Sequence, residues 1–473
     1  MKLAMGRRTV IGGVTSLVLI GLGLAVVGAV GIVGWEYSNS NAFCANVCHS
    51  VHPEESVNHL AGSHARVNCV ECHMGRNSTL HLMALKPTHA KELWGMIAGY
   101  ERPLHSSTLR PAREACESCH YPEVVHRDSI VLKKRYKSDA PSSEVTTRLV
   151  LHTAFDVPRE TTSKGIHWHI ANQIEYITID DQRREIPWVR VKKPDGTKVT
   201  YIDGESKLSM QELAKHEPRT MECFDCHNAV GHPFRNPADA LDEAIAEGRI
   251  DRSLPSAKAR GLALIDAAGT LTGTLEERTA RVDKLIAESI AKTPVKPEDK
   301  PKEQMFTKEM KDILLRTSVK DHNGHVFSWK SFPSHVGHND FAGCFRCHNG
   351  KHFNEKGEAI RLQCTLCHDL PQVQQENGKG SVASTVSAGL TPPPSHNEPN
   401  FMHDHRLKLD PTCTMCHGKL EFGREGGNFC SNPACHGRTW PEVNLNVQPA
   451  VQAPSSAPES PPAKKDAGAK QKS

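Results

Sequence analysis

The 473-residue sequence predicts a mostly α protein with many loops, little regular secondary structure and a single N-terminal transmembrane helix. Three observations support this fold class. All sixteen cysteines lie in short pairs, and a histidine directly follows each pair. An uncharged apolar segment runs from Val10 to Val33. Only 5% of the residues are aromatic and 38% are hydrophobic, which is little for large cores to form from side chains alone.

The cysteine pairs identify the cofactor. Six pairs have the spacing C-x-x-C-H: Cys69/Cys72-His73, Cys116/Cys119-His120, Cys223/Cys226-His227, Cys344/Cys347-His348, Cys364/Cys367-His368 and Cys413/Cys416-His417. In two further pairs the cysteines are separated by three and four residues, Cys44/Cys48-His49 and Cys430/Cys435-His436. At these two wider pairs a disulfide or a free thiol pair is the alternative to the interpretation given next. C-x-x-C-H is the attachment signature of c-type haem, because the thiols bond the haem vinyl groups and the histidine binds the iron. Zinc knuckles and disulfide frameworks do not need a histidine after every pair. The sequence therefore predicts a multihaem cytochrome c with eight covalently attached haem c groups.

The haems also account for the composition. Eight porphyrins would supply the apolar surface that the side chains lack. The formal net charge of +4 leaves out the roughly sixteen propionates that eight haems carry, so we expect an acidic holoprotein. The sequence has no stripe of basic and aromatic residues, and we expect no nucleic-acid partner.

The N-terminal apolar segment is predicted to be an uncleaved membrane anchor. It is long enough to cross a bilayer core of about 30 Å as a helix, and Trp35 and Tyr37 follow it as interfacial aromatic residues would. A cleaved signal peptide, the alternative, has a shorter apolar region of about 7–15 residues. Lys2, Arg7 and Arg8 precede the segment, so the positive-inside rule places the N-terminus in the cytoplasm. We expect a single-pass protein of the cytoplasmic (inner) membrane with its haem domains in the periplasm.

The motif spacing predicts five regions along the chain. They are the cytoplasmic N-terminus and anchor at 1–35, a tetrahaem domain at 36–237 with an insert at about 125–215, a helical spacer at 238–320, a C-terminal tetrahaem domain at 321–440, and a disordered tail at 441–473. In the insert, Trp188–Val191 and Val199–Ile202 alternate around Pro194-Asp195-Gly196, which predicts a β-hairpin. In the spacer, Val282 and Ile286 follow helical spacing.

The 28 histidines exceed what eight motifs and eight second iron ligands require. Electron-transfer haems of low potential usually take a second histidine, which closes the iron to substrate. The best-placed histidines are His64, His232, His338 with its neighbour His335, and His169 or its neighbour His167, while His352, His396, His403 and His405 are candidates for the C-terminal haems. The sequence does not show which histidine serves which iron, because packing brings ligands together from distant segments.

The first, second and fourth motifs carry a family resemblance. Phe43-Cys44…Cys48-His49 follows the apolar helix, and Ser63-His64, Cys69-Val-Glu-Cys72-His73 and later Cys223-Phe-Asp-Cys226-His227-Asn-Ala-Val-Gly-His232-Pro233 come after it. This arrangement resembles the NapC/NirT family of membrane-anchored tetrahaem quinol dehydrogenases, over roughly residues 10–125 and 215–235. The resemblance implies that His64 and His232 bind haems other than those beside them in sequence. It also implies that the first haem lies nearest the membrane and takes electrons from quinol.

The chain departs from the family pattern in two places. Three residues rather than two separate Cys44 from Cys48, and Val51 stands where one branch of the family has a methionine that binds the first haem. The ligand of this haem therefore stays open between His49, His52 and a weak axial site. The long insert and the C-terminal motifs are the second departure, and larger relatives in metal-reducing bacteria share this extended build.

The resemblance also points to a quinol pocket within residues 77–100. Lys91-Glu92-Leu93-Trp94-Gly95 is similar to the family's Lys-Asp-Leu-aromatic-Gly stretch, whose carboxylate lies at the quinol pocket. Quinol oxidation releases two protons, so we expect Glu92 to accept a proton and Lys86 or Lys91 to hold the quinone oxygens. The alternative is an interfacial helix whose lysines only reach the headgroups.

Together these features favour an electron-transfer protein of anaerobic respiration that acts as a quinol dehydrogenase. We expect an octahaem cytochrome that oxidises menaquinol or ubiquinol and passes electrons to periplasmic c-type cytochromes or a terminal reductase, and an oligomer is compatible with the sequence. One rival is a terminal reductase for nitrite, hydroxylamine or a sulfur oxyanion. It needs an open or lysine-ligated iron, and the sequence has no C-x-x-C-K motif. The other rival is an electron wire without a quinol site.

Overall fold

The structure is a computed structural model, and it describes residues 2–48, 54–75, 79–89, 94, 111–120, 127–154, 165–193, 195–320, 326–338, 340–369, 371–376, 394–404 and 440–449. The chain divides into two compact units, residues 1–119 and residues 120–473. The motifs at Cys44, Cys69 and Cys116 begin in the first unit, whereas the motif at Cys223 lies in the second.

The first unit consists of one long helix and several short ones. Its helices are α1 (Lys2–Ser38), α2 (Asn41–Phe43), α3 (Glu54–Leu60), α4 (Cys69–His73), α5 (Thr79–Leu85) and α6 (Ala112–Ala115), with a π-helical turn at Cys44–Cys48 and a 3-10 turn at Lys86–His89. Among the side chains described in this unit, Ala112 is the sole buried hydrophobic one. Side chains alone therefore give these described segments almost no apolar core, which is consistent with burial around a bound cofactor.

Helix α1 contains the candidate membrane span. Its segment Thr15–Ser38 has 24 residues and, within the described part of the chain, is the one helix long and apolar enough to cross a membrane. At about 1.5 Å per residue the segment is about 36 Å long, which exceeds a hydrocarbon core of about 30 Å. Leu17 and Leu24 are 71% and 68% exposed, as expected of side chains that face lipid. This supports the predicted single transmembrane helix.

The described part of the second unit contains three β-sheets and a helical layer. Its strands are β1 (Ser129–Tyr136), β2 (Glu144–Leu151), β3 (Gln173–Ile177), β4 (Trp188–Lys192), β5 (Lys198–Asp203), β6 (Arg219–Thr220), β7 (Leu271–Thr272), β8 (Ser318–Lys320), β9 (Val326–Ser328), β10 (His352–Phe353) and β11 (Gln372–Gln375). Its helices are α7 (Trp168–Ala171), α8 (Met210–Leu213), α9 (Cys223–Cys226), α10 (Pro237–Ala246), α11 (Ala257–Ala268), α12 (Leu275–Lys292), α13 (Lys300–Thr317) and α14 (Phe401–Asp404). Single 3-10 turns lie at Pro297–Asp299, Gly343–Arg346, Cys364–Leu366 and Pro394–Asn397.

The largest sheet is antiparallel and has the strand order β10-β5-β4-β3-β6. Strands β4 and β5 form the predicted hairpin, which is confirmed. The Lys193 N–H donates to the Thr197 carbonyl at 2.8 Å, and Gly196 takes a φ of +84°, a left-handed conformation that glycine adopts without strain. Strand β10 pairs with β5 at the edge of this sheet, so a segment just after the Cys344 motif joins a sheet formed mainly by residues 173–220.

The other two sheets correct the predicted fold class. Strand β2 pairs with β1 and, across a long sequence separation, with β11, while β8 pairs with β7 and β9. The expectation of a mostly α chain is therefore not confirmed, and the expectation of little regular secondary structure is wrong. Strands β1 and β2 are rich in valine, isoleucine, threonine and leucine, side chains that pack well on a pleated surface, and they form an eight-residue antiparallel pair.

Helices α10 to α13 form a separate hydrophobic layer. Leu241, Val282, Phe306 and Met310 are fully buried in its core. Val282 and Ile286 lie on the buried face of α12, so the helix predicted from their spacing is confirmed. The assignment of residues 238–320 as a spacer between haem domains stays a prediction.

Candidate haem centres

The described Cys-His motifs fold into single tight turns. In the fourth motif the His227 N–H donates to the Cys223 carbonyl at 2.8 Å, and in the fifth the His348 N–H donates to the Cys344 carbonyl at 3.0 Å. Such a turn brings both thiols of a pair to one side and presents the histidine directly after them. None of the ten cysteines whose side chains are described forms a disulfide: Cys44, Cys69, Cys72, Cys116, Cys119, Cys223, Cys226, Cys344, Cys347 and Cys367.

The first motif accommodates its extra residue with a wider turn. Cys44–Cys48 is a π-helical turn, in which hydrogen bonds join residues five apart. Because this turn is wider than an α-helical one, residue i+4 returns over residue i, much as residue i+3 does in the regular motifs. The histidine of this motif, His49, lies outside the described residues.

The seventh and eighth motifs also lie outside the described residues. The predicted attachment cysteines there are Cys413 and Cys416 in the seventh motif and Cys430 and Cys435 in the eighth, and the predicted iron ligands are His417 and His436. The structure therefore places none of these six side chains. Haem attachment at Cys416 and Cys435, as at their partners Cys413 and Cys430, stays a prediction from the sequence pattern.

Three motif histidines each face a second histidine from another segment. The ring centroids of His167 and His227 are 6.5 Å apart and those of His338 and His368 are 6.3 Å apart. The centroids of His169 and His348 are 5.8 Å apart. Two imidazoles bonded at about 2 Å to opposite sides of one metal ion have centroids about 6 Å apart. The spacing of these pairs therefore fits one haem iron between the two rings of each pair.

The ring planes distinguish one pair from the other two. The His169 and His348 planes are nearly perpendicular, at 78°. The planes of the His167/His227 pair and of the His338/His368 pair are inclined by only 31° and 27°. The three pairs therefore present different ligand geometries to a metal ion.

Hydrogen bonds at Nδ1 prepare these rings to bind metal through Nε2. His167 Nδ1 lies 2.9 Å from the Thr153 carbonyl, and His169 Nδ1 lies 2.8 Å from the Ile166 carbonyl. His348 Nδ1 lies 2.5 Å from the Arg361 carbonyl, and His368 Nδ1 lies 2.6 Å from the Asp369 carbonyl. A carbonyl only accepts, so each Nδ1 carries the proton and the Nε2 lone pair is left for a metal, as is usual for metal-binding histidines.

Burial keeps several of these imidazoles neutral, as metal binding requires. Burial lowers the pKa of His348 to about 4, and the neighbouring His169 lowers it further. The pKa of His169 and that of His227 are also lowered, again chiefly by burial.

His167 and His169 serve different partners although they are only two residues apart. They lie at the start of helix α7, where residues i and i+2 point to different sides. His167 therefore meets His227 of the fourth motif, and His169 meets His348 of the fifth. The sequence left these two histidines as alternatives, whereas the structure places each of them beside a different motif histidine.

Other predicted ligands have different surroundings. His352 has both ring nitrogens occupied, by Asn349 Oδ1 at 3.0 Å and by the Ile186 carbonyl at 2.7 Å, so its ring holds strand β10 in place. His64 is half-buried in the turn after α3, with Ser63 Oγ 3.2 Å from its Nδ1. His232 is half-buried in the loop after α9. The ligand roles of His64 and His232 stay predictions.

The described residues do not form a zinc-type centre. Within the described part of the chain, no group of three or more His, Cys, Asp or Glu side chains is arranged to hold a metal ion. A cavity of about 970 Å³ instead lies beside His338, and Phe345 and Trp440 contact the His338 ring at centroid distances of 4.4 and 4.7 Å. This cavity is at the upper end of the range for small-molecule and cofactor sites.

The fourth and fifth motifs share a buried polar junction, which sequence reasoning missed. Asp225, inside the fourth motif, accepts a hydrogen bond from the Tyr176 hydroxyl at 2.6 Å and pairs with the Arg183 guanidinium. Arg346, inside the fifth motif, donates to the backbone carbonyl of Asp225 at 2.9 Å. The opposite charges at the middle of the two motifs, Cys-Phe-Asp-Cys and Cys-Phe-Arg-Cys, were the signal available in the sequence.

The exit of the membrane helix forms a second candidate site. Lys86 Nζ donates to Ser38 Oγ and lies 4.2 Å from the centroid of the Trp35 ring. Burial lowers the pKa of Lys86, and the nearby Cys44 acts in the opposite direction. A half-buried lysine thus lies between the helix end and the first motif. Glu92 and Lys91, the other predicted residues of this site, lie outside the described residues.

The first and second motifs meet at this same end of the unit. The Cys69 N–H donates to Asn41 Oδ1 at 2.9 Å. A hydrogen bond with Cys44 lowers the pKa of the Cys69 thiol to about 6. The two motifs are therefore adjacent, directly beyond the helix end that Lys86 contacts.

Comparisons with known proteins agree with this arrangement. Residues 6–102 match the model of the NapC/NirT cytochrome c family, N-terminal region. The chain is 34% identical over 359 residues to the cytochrome c-type protein ImcH of Geobacter sulfurreducens, covering 74% of this chain and 69% of that protein. It is 28% identical over 158 residues to the denitrification system component NirT of Stutzerimonas stutzeri, covering 28% of this chain and 78% of that protein. No solved structure matches the chain.

Proposed function

The chain belongs to the NapC/NirT family of membrane-associated cytochromes c, and from this premise we propose that it oxidises menaquinol or ubiquinol at the membrane surface. Haem c, when bound, takes up and releases one electron per iron. We further propose eight haems, a periplasmic location, and delivery of the electrons to periplasmic c-type cytochromes or a terminal reductase.

The observation that carries the quinol site is the position of Lys86. Its ammonium group contacts Ser38 and Trp35 at the end of the membrane helix, and it is close enough to the first motif for Cys44 to influence its pKa. A quinol headgroup dissolved in the membrane would meet this lysine before it met the first haem. Lys86 would donate a hydrogen bond to a quinone oxygen. The quinol would give up two electrons, one to each of two ferric haems, and two protons, one to Glu92 and one to water.

The paired histidines support electron transfer as the role of the other haems. A second imidazole on the iron leaves no open position for nitrite, hydroxylamine or a sulfur oxyanion. The histidines of the fourth, fifth and sixth motifs each lie opposite another imidazole, of His167, His169 and His338 respectively, that would serve as this second ligand. These pairs favour an electron-transfer chain over a terminal reductase at those three sites.

The test uses the full-length, haem-loaded protein in proteoliposomes with a soluble menaquinol analogue. Lys86→Met should slow haem reduction by quinol about 10- to 100-fold, the cost of one hydrogen bond from a charged donor. Glu92→Gln should slow it about 100-fold or more. Reduction by dithionite should be unchanged in both variants.

Two control variants allow the result to be interpreted. Lys86→Arg keeps the positive charge and should retain most of the quinol rate. Lys284→Met removes an exposed lysine of the helical layer and should behave as the unchanged protein. If Lys86→Met and Glu92→Gln both react with quinol at the unchanged rate, the lysine only reaches the headgroups. If the unchanged protein is reduced by dithionite and not by quinol, the protein is an electron wire.

A further inference from the structure

The buried junction between the fourth and fifth motifs holds an arginine that binds backbone carbonyls rather than a carboxylate of the described residues. Arg346 is only 8% exposed. Its three donor groups bind backbone carbonyls: Nε binds Gly343 at 2.9 Å, Nη1 binds Arg183 at 3.2 Å and Nη2 binds Asp225 at 2.9 Å. Within the described part of the chain, the carboxylates that form ion pairs do so with other cations, and Asp225 pairs with Arg183. The junction of Asp225, Arg183 and Arg346 therefore has a net positive charge.

This charge lies within the fifth haem-attachment motif. Arg346 stands between Cys344 and Cys347 in the sequence, and its Nε binds the carbonyl of Gly343, directly before the motif, at 2.9 Å. Its Nη2 binds the backbone carbonyl of Asp225, which stands between Cys223 and Cys226 of the fourth motif. The guanidinium therefore belongs to the fifth motif and lies against the attachment segment of the fourth.

The charges of the junction differ between the two motifs. The Asp225 carboxylate of the fourth motif is paired with Arg183, whereas the Arg346 guanidinium of the fifth binds backbone carbonyls and, among the described residues, forms no ion pair. When a ferric haem takes up one electron, its site gains one negative charge and needs no proton. A fixed positive charge in a poorly screened interior favours that change, and a fixed negative charge opposes it.

We propose that Arg346 raises the reduction potential of the haem attached at Cys344 and Cys347, so that electrons pass from the fourth motif to the fifth. This proposal rests on the haem content proposed above. Arg346 acts as a positioning charge rather than a ligand, because its donors bind only backbone carbonyls. Phe341, whose ring centroid is 5.8 Å from the guanidinium carbon, adds a cation–π contact that holds the arginine in place.

The experiment is a redox titration of the purified full-length protein, followed by EPR of the ferric haems. The perpendicular imidazoles of His169 and His348 should give the haem of the fifth motif a more anisotropic low-spin signal than the other two described pairs give. The part of this signal that is lost in His169→Ala identifies the haem of interest. Arg346→Gln should make its one-electron reduction at least about tenfold less favourable, a downward shift of about 59 mV or more.

Three further variants complete the test. Arg346→Lys keeps the charge and should retain most of the original potential. Asp225→Asn removes the negative charge and should raise the potential of the haem of the fourth motif. Arg260→Gln removes another buried guanidinium, which pairs with Glu303 in the helical layer, and should leave the haem potentials unchanged.

The possible outcomes separate this proposal from the proposed function. A normal haem content and EPR spectrum with an unshifted potential in Arg346→Gln overturns the role of Arg346 and leaves the haem assignment intact. A protein without haem at the fifth motif overturns the proposed haem content instead. If Arg346→Gln does not mature, Asp225→Asn tests the effect of the junction's charges on the haem of the fourth motif. A raised reduction potential of that haem supports the proposal, and an unchanged potential overturns it.

Discussion

Removal of His167 should leave one haem iron with an open position. His167 and His227 have ring centroids 6.5 Å apart, and the Nδ1 of His167 is fixed by the Thr153 carbonyl. In His167→Ala no side chain remains at that position to bind the iron opposite His227. The haem of the fourth motif should therefore change from low-spin to high-spin, while its two thioether bonds hold it in place.

The expected fraction of high-spin haem follows from the number of motifs. With eight haems, one open iron corresponds to about one eighth of the total haem in the high-spin state. His338→Ala should add a second eighth through the loss of the partner of His368, and the two effects should add because separate histidine pairs are involved. Added imidazole should enter the space left by either alanine and restore the low-spin state.

Optical and EPR spectroscopy of the oxidised protein measure this fraction, and the pyridine haemochrome assay confirms the haem count. His352→Ala is the matched control, because both of its ring nitrogens bind protein groups. It should lower stability without producing high-spin haem. The reasoning would be refuted by a fully low-spin His167→Ala protein with normal haem content, or by high-spin haem in His352→Ala.

Three further predictions concern stability and spectroscopy. Phe306→Ala should lower the free energy of unfolding by about 3–5 kcal/mol in urea, because this ring is fully buried in the helical layer, whereas Lys284→Ala on the exposed surface should change it by less than about 0.5 kcal/mol. Burial lowers the pKa of His335 to about 4, so as the pH falls the unfolded chain binds a proton at this histidine before the folded chain does. About 3 kcal/mol of stability should therefore be lost between about pH 6.5 and about pH 4. His335→Gln should remove that part of the acid sensitivity, and an identical pH profile of stability would contradict the prediction. His169→Ala should abolish the most anisotropic low-spin EPR signal among the described pairs, and its persistence would show that His348 has another partner.

The sequence predicted the chemistry of the sites better than their arrangement. The Cys-x-x-Cys-His pattern identifies a haem attachment site without any tertiary information, because the chemistry is local to five residues. The hairpin around Gly196 and the buried face of α12 were also predictable, since both follow from short-range periodicity. The pairing of His167 with His227 was not, because it depends on how helix α7 packs against a loop some 60 residues later.

The sheets show the same limit of prediction from local sequence patterns. Strand β2 has the β-branched composition of a strand, yet its second partner, β11, comes more than 220 residues later. No local pattern specifies a pairing over that distance. Likewise, the junction of Asp225 and Arg346 became visible only when the fourth and fifth motifs were found side by side.

The pairing of strand β10 with β5 has a consequence for biogenesis. This pairing brings the segment after Cys347 into the sheet, and burial raises the pKa of the Cys347 thiol to about 12. Because the thiolate is the reactive form, we expect thioether bonds at the fifth motif to form before this segment folds into place. The strand that joins early and late segments of the protein would thus order two steps of maturation, with haem attachment first and closure of the sheet last.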